Sequence, residues 1–97
     1  MAHRIVFAPE AVEDYRNLSA YDKASVNEAI RRHLETNPTH ESKSKIKRLR
    51  GMEKPHYRLR IGEIRLFYDV TGNRVEVLGV VKKKDATDWL EREGEKR

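Results

Sequence analysis

Ninety-seven residues without a cysteine, carrying 21 Lys/Arg against 16 Asp/Glu, exclude a disulfide scaffold and a thiolate metal site. No apolar run approaches the roughly 18 residues of a membrane span and the N-terminus lacks a signal-peptide core, so one soluble, cytoplasmic domain over 1–97 is expected. The net charge of +5 is unevenly spread: residues 43–84 hold 13 basic and 4 acidic side chains, the remainder 8 and 12. A fold alone does not require that asymmetry. Concentrated positive charge is the footprint of a nucleic acid or of an acidic protein partner.

In chain order, the β-branched run Ile5-Val6-Phe7 within His3 to Ala8 predicts a first strand. Pro9 suits the first position of a helix, and Val12, Tyr15 and Leu18 recur at three-residue spacing, which predicts a short helix over 9–18. Ser19 followed by Asp22 resembles an N-cap with a reciprocal acidic partner. A second helix over about 20–36 then buries Val26, Ala29, Ile30 and Leu34, and Pro38 ends it. Lys45-Ile-Lys-Arg-Leu-Arg-Gly-Met52 admits either a short strand or an extended connector. His3, His33 and His40 have no metal-ligand spacing and read as surface residues.

The most informative stretch is Tyr57-Arg-Leu-Arg-Ile-Gly-Glu-Ile-Arg-Leu-Phe-Tyr-Asp-Val70. Strict alternation gives two strands, and Gly62-Glu63 reads as a two-residue hairpin loop with Gly supplying the positive φ of a type II′ turn. The resulting register pairs Ile61 with Ile64, Arg60 with Arg65, Leu59 with Leu66, Arg58 with Phe67 and Tyr57 with Tyr68. One face becomes apolar. The other gathers Arg58, Arg60 and Arg65, with two arginines directly opposite each other, an arrangement that destabilises a hairpin by a fraction of about 1 kcal/mol. Three converging guanidiniums suit phosphate or another polyanion. A second tight turn at Gly72-Asn73 leads into a third strand, placing Val75 and Val77 on the apolar face and Leu78 and Val80 as a floor under the arginines. Lys82-Lys83-Lys84 ends that strand, Asp85 is placed to cap a last helix from Ala86 to about Glu93, and the polar tail 94–97 is expected to fray. The order β-α-α-β-β-β-α describes an α+β domain: a small, mostly antiparallel sheet with an N-terminal helical hairpin on one face.

That order, with Leu49-Arg-Gly-Met52, then Tyr57 to Tyr68, then Val75-Glu-Val-Leu-Gly-Val-Val81 and a basic cluster, resembles the RelE/ParE superfamily of type II toxins over nearly the whole chain. The resemblance implies a small toxin neutralised by a cognate antitoxin, touching operator DNA only through the antitoxin complex, with no membrane partner and no cofactor or metal. RelE-like members cleave mRNA on the ribosome without a metal; ParE-like members poison DNA gyrase. It also implies site residues: Arg58 and Arg60 fall where the family carries basic residues before the hairpin, Arg65 matches the arginine of its G-x-x-R-x-x-Y strand, and Lys83 falls near its arginine after the last strand. Trp89 stands where several members carry tyrosine or histidine. Lysine meets phosphate as a point charge rather than a fork, and indole stacks on a base but moves no proton.

The expected function is therefore a translation-inhibiting, ribosome-dependent endoribonuclease in which Arg58, Arg60, Arg65 and Lys83 act at the scissile phosphate. Lys45, Lys47, Lys82 and Lys84 would hold neighbouring phosphates and Trp89 a base. Trp89 equally suits an anchor for the last helix. Of the residues that accept a proton, His56 beside Tyr57 is the nearest to this face. Two other classes remain open: a gyrase poison with no RNA chemistry, and an inactive module whose basic face serves only antitoxin or RNA binding.

Overall fold

The structure, a computed structural model, describes residues 2–97. A five-stranded sheet is built from β1 (Arg4–Phe7), β2 (Ile46–Arg48), β4 (Tyr57–Ile61), β5 (Ile64–Thr71) and β6 (Arg74–Lys82) in the order β1-β6-β5-β4-β2. Only β1 runs parallel to its neighbour. Helices α1 (Pro9–Arg16) and α2 (Ala20–Ala29) form the expected hairpin, and α2 continues through a wider i→i+5 turn to Leu34. Both helices end about two residues before their expected limits. Ser19 caps α2 by accepting the Asp22 N–H at 3.1 Å, but the Asp22 carboxylate turns away to Lys82 at 3.0 Å.

The hairpin register is as expected: Tyr57 pairs with Tyr68, Arg58 with Phe67, Leu59 with Leu66, Arg60 with Arg65 and Ile61 with Ile64. Gly62 has φ +57°, while among the described residues no residue other than glycine takes a positive φ, which fits the II′ turn. The apolar face, Leu59, Leu66, Tyr68, Val75 and Val77, is fully buried under Ala11, Val26 and Leu34 of the helical hairpin. Tyr57 stacks on Tyr68 at 5.5 Å, and the Tyr68 hydroxyl donates to the Pro38 carbonyl at 2.7 Å. These tyrosines are packing residues. Burial, with Tyr57 alongside, pushes the Tyr68 phenol well above its ordinary range, so it stays a donor.

Lys45–Met52 resolves into β2, antiparallel to β4, and a turn into β3 (Met52–Lys54). The tail is not frayed: β7 (Glu95–Lys96) pairs with β3, and the Arg97 N–H donates to the Gly51 carbonyl. Asp85 does not cap α3 (Ala86–Glu93); a 3₁₀ turn over Lys83–Asp85 leads into that helix, and the Asp85 side chain accepts no capping bond.

The third strand departs from simple alternation. Val75 and Val77 pair as expected, but Tyr68 faces Val77 while Phe67 faces Gly79, so β6 carries one extra residue at Leu78. Beyond this bulge the faces exchange: Val80 joins the core and Val81, not Val80, stands opposite Arg65. The Val80 N–H is satisfied by Asp14 of α1 at 3.0 Å. The bulge also sets Gly79 under Trp89, where a β-carbon would lie 2.4 Å from the indole. On the same side the indole stacks on Phe67 at 4.7 Å and 4°. Gly79→Ala should therefore displace Trp89, lowering stability by about 1–3 kcal/mol, read as an earlier urea midpoint together with a red-shifted indole emission.

Candidate nucleic-acid interface

The sheet face opposite the helical hairpin is built from alternate residues of the central strands. Lys47 of β2 stands opposite Arg58 of β4, Arg58 opposite Phe67 of β5, and Arg60 opposite Arg65. No carboxylate interrupts these rows, so the arginine–arginine pair keeps its repulsion unless an anion enters.

Arg65 is 6% exposed, and its Nη1 donates to the Gly62 carbonyl at 2.8 Å and the Ile64 carbonyl at 3.0 Å. The hairpin turn thus fixes the guanidinium and leaves its other donors free. Burial first, then Arg58 and Arg60, lower its pKa, with Glu63 acting the other way; arginine remains charged regardless. Arg58 is half-buried, and its Nε finds no acceptor among the described residues. An unsatisfied buried donor is costly, and a phosphate oxygen would complete it. The Lys83 N–H donates to the Glu63 carbonyl at 2.7 Å, which brings the 3₁₀ turn with Lys83 and Lys84 to the hairpin tip beside Arg65.

Two expected phosphate or base contacts are placed elsewhere, and a third sits at the edge of the arginine face. Lys82 lies on the helical side of the sheet, because the bulge reverses the end of β6, and its ammonium pairs with Asp22. Lys45 accepts the Arg60 N–H on its carbonyl at 2.9 Å and lies beside His33 of the α2 extension, in a cleft shared with Tyr21, Arg32 and Arg60. Trp89 is 6% exposed, with its ring against Phe67 and Gly79, and anchors α3 rather than presenting a stacking surface. What remains is a compact basic group: Lys47, Arg58, Arg60, Arg65 and the Lys83–Lys84 turn.

The model of the ParE toxin of type II toxin–antitoxin systems (parDE) matches residues 5–87. The chain belongs to this toxin family. Among solved structures, the toxin is similar to a chain of the intact E. coli RelBE toxin–antitoxin complex, at 28% identity over 84% of this chain and 96% of that one, with a TM-score of 0.66. It is similar to YoeB of the Staphylococcus aureus dimer, also at 28% identity, over 81% and 94%, with a TM-score of 0.61. A chain of the RelB–RelE complex from Methanococcus jannaschii shares the fold at 23% identity over 87% and 96%, with a TM-score of 0.68. No protein of curated function matches the toxin. None of its described helices is long and apolar enough to cross a membrane.

Sequence reasoning missed Asp69. Extending the hairpin register by one pair beyond Tyr57–Tyr68 sets it opposite His56, and the structure joins them: the His56 backbone N–H and its Nδ1 both meet Asp69 Oδ1, at 2.5 and 3.0 Å. His56 therefore lies on the arginine face.

On the other side of the sheet, desolvation by burial, then Lys45 and Arg32, hold His33 below its ordinary pKa. The unfolded chain then binds a proton that the folded toxin resists, so stability is full above about pH 6.5 and falls as pH drops below it. Urea midpoints taken at about pH 5 and pH 7.5 should differ less in His33→Gln than in the parent.

Proposed function

We propose that this toxin inhibits translation by cutting mRNA on the ribosome, with Arg58, Arg60 and Arg65 as the anion-binding core of the site. The observation that carries this reading is the register-fixed opposition of Arg60 and Arg65, with Arg58 and Lys47 in the adjacent row. A hairpin selected for stability alone would place a carboxylate in one of those positions. Cleavage by a neighbouring 2′-hydroxyl builds charge on the phosphorus-bound oxygens, and guanidiniums held in place beforehand stabilise that charge without reorganising. Arg65, fixed by two carbonyls, is such a group; Lys83 and Lys84 at the hairpin tip supply point charges to flanking phosphates.

The likeness to RelE and YoeB chains at 28% identity supports the same reading. The RelE match comes from a toxin–antitoxin complex, as does a YoeB–YefM match at 26% identity, and a cognate antitoxin is accordingly proposed for this toxin, acting with it in the cytoplasm. The matched family model carries the ParE name, which favours a second reading: a gyrase poison that uses its surface for protein contact and cuts no RNA.

Mapping mRNA 5′ ends after adding purified toxin to a translating system separates the two. Ribosome-dependent cuts are expected, reduced about 100- to 1,000-fold in Arg65→Ala and unchanged in Lys82→Ala. Intact mRNA at toxin levels that still arrest growth, with gyrase–DNA adducts accumulating, would establish the second reading instead. Arrest that survives Arg65→Ala would leave the arginine face as a binding surface only.

A further inference from the structure

The arginine face holds one group that the phosphate-binding reading leaves unused. His56 precedes β4 and lies against Asp69 of β5, whose Oδ1 accepts the His56 backbone N–H at 2.5 Å and stands 3.0 Å from Nδ1 of the imidazole. The backbone bond fixes His56 against β5, and the carboxylate beside Nδ1 favours the tautomer that carries its proton there. With the proton on Nδ1, the lone pair is on Nε2. The Asp69 side chain is 15% exposed and that of His56 35%, so the carboxylate is covered while the ring edge reaches solvent. A carboxylate behind, an imidazole in front and an open Nε2 are the parts of a general base.

Position gives this dyad a purpose. His56 and Arg58 share a face two residues apart, about 7 Å along the strand, and Arg60 follows at a similar step. Arg58 carries the buried Nε without an acceptor. Asp69 of β5 touches the imidazole; by register Glu76 of β6 stands opposite Asp69 on the same face, and Arg58 follows two residues on along β4. Glu10 of α1, Lys54 of β3, Glu93 of α3 and Glu95 of β7 line the neighbouring cleft at Pro55.

We infer that His56 is the general base of this toxin and Asp69 its positioning residue, with the scissile phosphate at Arg58 and the next phosphate in the 3′ direction at the Arg60–Arg65 pair. This rests on the RNA-cleaving reading above. His56 Nε2 takes the 2′-hydroxyl proton. The 2′-oxygen forms a bond to phosphorus, and the bond from phosphorus to the 5′-oxygen breaks. That oxygen leaves with the bonding pair and takes a proton from water. The products are a 2′,3′-cyclic phosphate and a 5′-hydroxyl, and His56 returns its proton to solvent. The RNA then runs 5′ to 3′ along β4 from His56 towards the hairpin tip.

The test uses the full chain with programmed ribosomes and a defined mRNA, comparing the parent, His56→Gln, Asp69→Asn and Arg65→Ala. In His56→Gln the single-turnover cleavage rate should fall about 100-fold or more, with ribosome binding and the far-UV spectrum retained. The acidic limb of the pH–rate profile should vanish. Asp69→Asn should keep that limb but displace it, which a merely structural role would not do. Nitrogen-15 shifts of the parent imidazole should report the Nδ1–H tautomer. Parent-like cleavage by His56→Gln beside an inactive Arg65→Ala would overturn the dyad while leaving the RNA-cleaving reading intact, as would an Nε2–H tautomer. A parent that cuts no RNA overturns both.

Discussion

The constraint on which the structure depends is the register of the β4–β5 hairpin. Because side chains alternate with a period of two, a slip of one residue would move Leu59, Leu66 and Tyr68 out of the core and the arginines into it. Gly62 at positive φ closes the loop in two residues and prevents that slip. Burial of the apolar face under α1 and α2 then holds Arg60 against Arg65 on the other side. Core packing thus sustains an electrostatic arrangement that the arginine face would not adopt on its own.

A second device determines what accompanies the arginines. The bulge at Leu78 reverses the end of β6, with three consequences: Val80 enters the core, Lys82 crosses to Asp22, and Gly79 opens a flat seat for Trp89. Asp14 accepts the displaced Val80 N–H, so the irregularity leaves that donor satisfied. The indole on Phe67 ties α3 to the arginine face, and the 3₁₀ turn before it brings Lys83 to the hairpin tip. The basic group is therefore shaped as much by one extra residue in a strand as by the arginines themselves.

Much of this was legible in the sequence, for identifiable reasons. Alternation over Tyr57–Val70 and one glycine determined the register, the core face and the arginine face. The helical hairpin followed from apolar spacing and the Ser19 cap. What was not legible depended on tertiary partners. The one signal of the bulge in Val75–Val81 is Gly79, a glycine inside a strand pattern, which marks a bulge or a close approach without saying how the faces exchange; the bulge is stabilised by Asp14 and Trp89, distant in the chain. Lys82 changes face because of that bulge, and Lys45, just outside β2, has no periodicity to say which side it takes. The β3–β7 pair joins segments too short and polar to announce a strand, and the Asp69–His56 contact lies past the last β4–β5 pair, Tyr57–Tyr68, where alternation no longer fixes which way a side chain points.

The proposed role of the arginine face is most directly tested by nitrogen-15 spectra of the toxin's arginine Nε–Hε groups during titration with a short 2′-O-methyl RNA, which binds but cannot be cut. The expected result is that Arg58, Arg60 and Arg65 shift first and together, the Arg58 signal most as its Nε gains an acceptor, with the response weakening steeply as salt rises. Shifts confined to Arg16, Arg31 and Arg32 on the helical side, or no shifts at low salt, would contradict it.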